Sequence, residues 1–231
     1  MMFDLHGYGP SILEGTLLTI EVSLASLAIS MALGIMGALA KLSPSKPLQL
    51  TAQTYTTIIR GIPDLVLMLL VFFGGQVFIN QMGPLMGYED YIDINPFMAG
   101  VSTIGFIFGA YMTETFRGAI LAVPKGQMEA AYAYGMTPLK AFRRILLPQM
   151  VRHAIPGFGN NWLVLVKTTA LVSIIGLDDM VRKASLAAGA TRMPFTFYLV
   201  VAVNYLVITS ISGVILRRLE NRYSVGVAKA F

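Results

Sequence analysis

Residues 17–40 run for 24 positions with one charge, Glu21. A helix rising 1.5 Å per residue crosses the ~30 Å hydrocarbon core of a bilayer in about 20 residues. Comparable apolar runs recur at about 55–79, 97–117, 154–175 and 195–216; Asn160, Asn161 and Lys167 interrupt the fourth. Only 13% of the chain is charged and 55% is hydrophobic, with a mean hydropathy of +0.68. Soluble domains carry about 25% charged residues, so lipid is the expected solvent. The pattern predicts an all-α integral membrane protein with about five transmembrane helices. They form one membrane domain over 1–231, with no soluble domain, low-complexity tract or internal repeat.

Five spans leave the two ends on opposite sides, and the bases decide which is which. One set of ends and loops holds Lys41, Lys46, Arg60, Arg117, Lys125, Lys140, Arg143, Arg144, Arg152, Arg217, Arg218, Arg222 and Lys229. The other holds Arg182, Lys183 and Arg192 with the acids Asp4, Glu89, Asp90, Asp93, Asp178 and Asp179. The basic set is expected in the cytoplasm, which puts the N-terminus outside and the C-terminus inside. The net charge of +5 therefore reads as membrane orientation, not as a nucleic-acid surface. With no cysteine, disulfides, thiolate metal sites and Cys nucleophiles are excluded. His6 and His153 stand far apart in sequence and make a poor metal pair, so no metal site is expected. The opening MMFDLHGYGP lacks a basic n-region and a cleavage site, and the first span is expected to direct insertion itself.

The stretch EAAYAYGMTPLKAFRRILLP, 129–148, is the least membrane-like part of the chain. Pro124 suits the start of a short helix and Gly135 suits its left-handed end. Thr137 offers an N-cap oxygen, and Pro138 fits the first position of a second helix. That helix carries Leu139, Phe142, Ile145 and Leu146 on one side and Lys140, Arg143 and Arg144 mostly on the other. Pro148 is expected to break the chain before the fourth span. Periodicity alone leaves two readings open: a re-entry loop on the membrane surface, or a docking helix for a soluble partner.

Ionisable residues at membrane depth face protein or water. Glu114, Asn160, Asn161, Lys167 and Thr168 are the candidates for a polar solute pathway. Each has a structural alternative. Glu114 and Arg117 share a helix face and can pair. The two asparagines can bond neighbouring helices, and Lys167 can answer a buried acid. Glu21 fits the pathway, the outer interface or a contact with another span. Asp64 and Arg60 fit an interfacial pair near the cytoplasmic end. Ala32, Gly34, Gly37 and Ala38 suit close helix packing, and residues 178–192 suit either a short external helix or a solvated connector.

The loop resembles that of ATP-binding-cassette importer permeases, whose pattern is E-A-A, three residues, G, nine residues, I-x-L-P. Here Glu129, Ala130, Ala131, Gly135, Ile145 and Pro148 meet every spacing, with Pro138 between them. RGIPDLVLMLL (60–70), GAYMTETFRGAILAVPKGQMEAA (109–131), LPQMVRHAIPGFGNNW (147–162), KTTAL (167–171) and LENRYSVG (219–226) extend the likeness to the polar amino-acid family. Within it the chain is similar to Q-type subunits of histidine, basic amino-acid or opine importers. Thr168 stands where many relatives carry an acid, and Asp64 where an apolar residue is common.

The resemblance implies a type I importer permease fold, placed multi-pass in a bacterial inner membrane, with 124–148 as the cytoplasmic coupling loop. It implies two cytoplasmic ATPase subunits that bind ATP and magnesium, while this chain holds no cofactor and no G-x-x-x-x-G-K-[ST] motif. It also implies a second permease subunit (a heterodimer over a homodimer), a periplasmic amino-acid-binding protein and a polar, basic amino-acid solute. A standalone carrier or channel gives no reason for the loop motif. A membrane enzyme wants a convergent acid/base or metal set that the scattered histidines and acids do not supply.

Overall fold

The computed structural model describes residues 5–87 and 90–223, which are helical with no strand among them. Asp4, Glu89, Lys229 and the 224–226 end of the LENRYSVG run lie outside these residues. The first helix, α1, covers Gly9–Leu42, longer at both ends than the apolar run. One seam of small residues is buried along it: Thr16, Thr19, Ser23, Ser26, Ser30, Gly34 and Ala38. Steps of three and four keep these on one face. Gly34 and Ala38 therefore pack as expected, while Ala32 falls on the opposite, exposed side.

The partner of that seam is α5, Pro96–Leu121, capped by Asn95, whose side chain accepts from the backbone N–H of Phe97 and Met98. The two helices run parallel and in register. Ser26 donates to the Val101 carbonyl at 3.2 Å, Ile29 lies against Gly105, and Leu33 lies against Gly109. The central core, with Val22, Ile104, Ile107, Phe108 and Leu165, forms around this pair.

The second apolar run does not fold as one span from Tyr55. Helix α2 covers Lys46–Gly61, and Ile62 and Pro63 are extended. The chain then restarts as α3, Asp64–Leu69, passes a π turn at Leu70–Gly74 and ends as α4, Gly75–Met82. Pro63 explains the break: it lacks an N–H and forces the residue before it out of helical geometry. The 19-residue rod Asp64–Met82 is itself long and apolar enough to cross a membrane. So, by length and composition, are α1, α5 and the last helix, α10, Pro194–Tyr223.

After α5 come α6, Lys125–Ala133, and α7, Pro138–Ala141. A π turn at Phe142–Leu146 joins α7 to α8, Leu147–Thr168, which a 3-10 turn extends to Ser173. The expected break at Pro148 does not occur. Proline is tolerated in a first helical turn, and the wider π turn just before it relieves the clash with the preceding turn. From Pro138 to Thr168 the chain is therefore helical without interruption, with Pro156 inside α8. α8 packs on α5, where Gly157 meets Thr115, and on α10, where Gly159 meets Leu216.

Residues 178–192 form a helix, α9, Met180–Thr191, and not a connector. It packs with α10 and the start of α1 around Ile12, Met180, Ala184, Ala187 and Phe197. Gly15 lets α1 touch the Asp179 backbone, and Lys183 pairs with Glu14 at 3.0 Å.

Candidate functional site

The loop forms an elbow built on α6. The Gly135 N–H bonds the Tyr132 carbonyl at 2.9 Å and the Met136 N–H bonds the Ala131 carbonyl at 3.0 Å. This is the paired bonding of a Schellman end, with Gly135 at φ +74°. Thr137 precedes α7 in extended geometry, but its side chain makes no capping bond. Pro138, whose missing N–H is one of the helix's orphans anyway, starts α7 without that oxygen. Ala131 and Ala141 are buried and fasten the elbow. Glu129, Ala130, Tyr132, Tyr134 and Leu139 are exposed, and Glu129 makes no ion pair among the described residues. Ile145 lies in the π turn and Pro148 at the start of α8. The two sides of α6–α7 thus differ: one is tied to its own chain, and the other offers an acid, small residues and large side chains to a partner.

A second site opens between α2 and α5. Its cleft of about 450 Å³ is lined by Gln53, Thr56, Thr57, Arg60, Gly61, Tyr111, Glu114 and Arg117. Glu114 is held on both sides: Lys41 donates to Oε1, and Arg117 Nε donates to Oε2 at 2.9 Å. Lys41 also donates to Gln53 Oε1 at 2.8 Å and Thr56 Oγ1 at 2.6 Å. The pairing of Glu114 with Arg117 was legible from their spacing. Lys41 was read only as a cytoplasmic base, because nothing local in sequence ties α1 to α5.

The expected interfacial pair of Arg60 and Asp64 is absent among the described residues. The helix break at Ile62–Pro63 separates the two side chains. Arg60 instead lies over the Tyr111 ring, 5.5 Å from its centroid. Tyr111 stands six residues, about 9 Å, before Arg117 on α5. Arg60 therefore lines the same cleft as Glu114 and Arg117.

The pathway candidates on α8 divide. His153, Pro156, Asn160, Val164 and Lys167 are exposed at steps of three and four, one stripe along the helix. A lysine on an open face of a membrane helix fits water or protein, not lipid. Asn161 turns inward and donates to Thr115 Oγ1 at 2.9 Å, which makes it a helix-to-helix bond. Thr168 donates to the Val164 carbonyl at 3.1 Å. Thr115 shares a face of α5 with Tyr111, Glu114 and Gly118, so α2 and α8 flank the same face. His153 was passed over as a poor metal ligand; its step from Asn160 was the available signal.

At the other end Asp179 caps α9, its Oδ1 accepting from the Arg182 N–H at 2.9 Å. Oδ2 is buried without a hydrogen-bond partner. Burial, opposed by the Arg182 and Val181 backbone, pushes the carboxyl up to about 6.

A bundle of apolar helices, a polar cleft open on one side, and a rigid elbow presenting an acid define the class: a helical permease subunit that is completed and driven by other chains. Residues 30–225 match the family described as binding-protein-dependent transport system inner membrane component. The chain belongs to that family. It is 51% identical to the histidine/lysine/arginine/ornithine transport system permease protein HisQ of Salmonella typhimurium over 226 residues, 98% of this chain and 99% of that one. It is 43% identical to the octopine transport system permease protein OccQ of Rhizobium radiobacter, covering 99% and 97% of the two chains. Its fold is similar to a crystal structure of an amino acid ABC transporter with histidines, at TM-score 0.83 and 33% identity over 96% of this chain and 98% of that one. The chain is thus a multi-pass importer permease of the inner membrane. It is a transport subunit and not an enzyme, and partner ATPases hydrolyse the ATP.

Proposed function

We propose that this subunit forms one half of the translocation pathway of an importer of basic amino acids, and that α6–α7 is its coupling element. Glu129, Ala130, Ala131, Gly135, Pro138, Ile145 and Pro148 form the part docked on a cytoplasmic ATPase. The observation that carries this is the unbroken rod from Pro138 to Thr168. A push on the elbow moves the far end of that rod, which bears Asn160 and Lys167. With Glu114 these line the pathway, while Asn161 ties α8 to α5 through Thr115 and Thr168 bonds back onto its own helix at Val164. ATP and magnesium are bound by the partner ATPases, and this chain carries no cofactor.

The distribution of bases supports an N-terminus outside and a C-terminus in the cytoplasm. The open side of the cleft supports a second permease subunit, and the likeness to Q-type chains favours a sister protein over a second copy. α9, on the outer side, is the surface offered to a periplasmic amino-acid-binding protein. The relatives' names support histidine, lysine, arginine and ornithine as solutes, with octopine-type opines as the alternative.

The test is reconstitution of the chain in proteoliposomes with its sister permease, ATPases and binding protein. Uptake of a basic amino acid that requires both ATP and the binding protein is the expected result. ATPase activity indifferent to the binding protein and its amino acid would refute the proposal.

A further inference from the structure

Helix α4 stands apart from the bundle. No residue of α4 or of the π turn before it is buried, Val77 and Phe78 are open, and beyond its flanking turns α4 packs closely on no other helix. The chain on either side of it is anchored. Leu67 and Met68 of α3 are buried in the central core, Phe72 of the π turn packs against that core, and so does Ile94 beyond α4.

One set of bonds closes α4 onto the second anchor. Gln76 and Asn80 stand about one helical turn apart, on one face. Gln76 Nε2 and Asn80 Nδ2 both donate to the Ile92 carbonyl, the second at 2.9 Å. Asn80 Oδ1 accepts from the Ile92 N–H and Gln76 Oε1 from the Ile94 N–H, each at 2.8 Å. Two side-chain amides thus serve residues 92–94 as a neighbouring strand would. Three of the four bonds are exposed, so water competes for them and each is weak alone.

Gly74 and Gly75 lie where the π turn meets α4. Their φ angles, −65° and −60°, are helical, so backbone geometry does not require glycine. Packing does not require it either. A Cβ at Gly74 would meet nothing within 4 Å, and one at Gly75 only Ile94 Cδ1, at 3.6 Å. A glycine pair weakens a helix, and a π turn interrupts its regular ladder of hydrogen bonds; both are places where helices bend.

We propose that Gly74 and Gly75 form a hinge and that Gln76 and Asn80 are its clasp: α4, closed on residues 92–94 here, swings away from them at the outer end of the subunit during transport. The inference rests on the importer reading above.

The experiment uses the complete complex in proteoliposomes. The chain has no cysteine, so Phe78→Cys on α4 and Met98→Cys on α5, both exposed positions, carry a spin-label pair once any cysteines of the partners are replaced. Wild type is expected to show a short and a long separation whose ratio shifts between the nucleotide-free and the ATP-trapped complex. Q76A/N80A is expected to raise the long share about 10-fold or more, as loss of four weak hydrogen bonds implies. G74A/G75A fits the space and favours a straight helix. It is expected to keep the short separation alone and to cut uptake about 10- to 30-fold, the combined helix preference of two alanines over two glycines. Gly213→Ala, which also meets nothing within 4 Å, leaves uptake unchanged. One fixed separation in wild type overturns the hinge. So does full uptake by G74A/G75A, or its failure to assemble with the sister permease, which would make the glycines a packing surface. An unchanged ratio in Q76A/N80A overturns the clasp. A wild-type complex without uptake that depends on ATP and the binding protein overturns the importer reading instead.

Discussion

Gly105→Ala tests whether close contact between α1 and α5 organises the fold. A Cβ at Gly105 would lie 2.7 Å from both Cβ and Cγ2 of Ile29 and 3.3 Å from the Ser26 carbonyl oxygen. Ordinary contact begins at 3.4 Å, so the helices must part by 3.4 − 2.7 = 0.7 Å. Ile29 cannot swing aside, because its branch point is one of the atoms struck and β-branched side chains are stiff at χ1 in helices. The matched control is Gly118→Ala, on the same helix with nothing within 4 Å of the added carbon. Both changes gain about 1 kcal/mol of helix propensity. That gain cancels in the comparison, leaving the overpacking cost of about 1–3 kcal/mol. At about 2–4 °C per kcal/mol for a chain of this size, G105A is expected to melt about 2–12 °C below G118A in one detergent. Melting of G105A at or above G118A would show that the α1–α5 contact is not the tight, organising one argued from the seam.

Three further outcomes follow from the same geometry. Gly135→Leu places a branched side chain at φ +74°, a strain of about 1–2 kcal/mol; the subunit still inserts, vesicle uptake falls to background, and Gly135→Asn retains uptake because asparagine tolerates that region. Normal uptake by the leucine variant would refute the elbow's role. Lys41→Met leaves Glu114 with Arg117 alone and costs about 3 kcal/mol or less; a double-mutant cycle with Glu114→Gln showing no coupling would contradict the network. Asp179→Asn keeps the capping oxygen and removes a buried charge. The folded carboxyl, pushed up to about 6 from the ordinary aspartate range near 3.8, binds its proton more tightly than the unfolded one, so its stabilising contribution is present near pH 4 and is lost as pH rises to about 6. The asparagine variant should therefore be more stable than wild type at pH 8, by roughly 3 kcal/mol at most, with the gap closing toward pH 4. A gap independent of pH would refute the assignment.

The bend of the elbow was legible because its determinants are local, although Thr137 makes no capping bond. A left-handed glycine, a proline restart and the spacing of EAA to ILLP act over a few bonds, and the Schellman end appears where Gly135 implied it. Four of the five apolar runs were legible for the same reason, since a bilayer demands length and hydrophobicity from each segment by itself, whereas α8, over the expected fourth run, is not among the helices apolar enough to cross by composition. The span boundaries were less so. Hydropathy averages across Ile62–Pro63 and across the join at Pro148, where single backbone groups decide whether a helix stops or continues.

What α1–α5 packing decides could not be read in advance. Lys41 is a loop base in sequence and the buried partner of Glu114 in space, 73 positions apart. Asn160 and Asn161 are neighbours in sequence, yet a 100° turn of helix leaves one on the open stripe and sends the other to Thr115. The sequence alone determined that the chain lies in a membrane, that it is mostly helical and where the elbow bends. Only the tertiary structure decided which polar groups pair with each other and which, like Arg60, are left facing an open cleft. Burial and hydrophobicity act along the chain, whereas charge pairing depends on which helices the chain brings together.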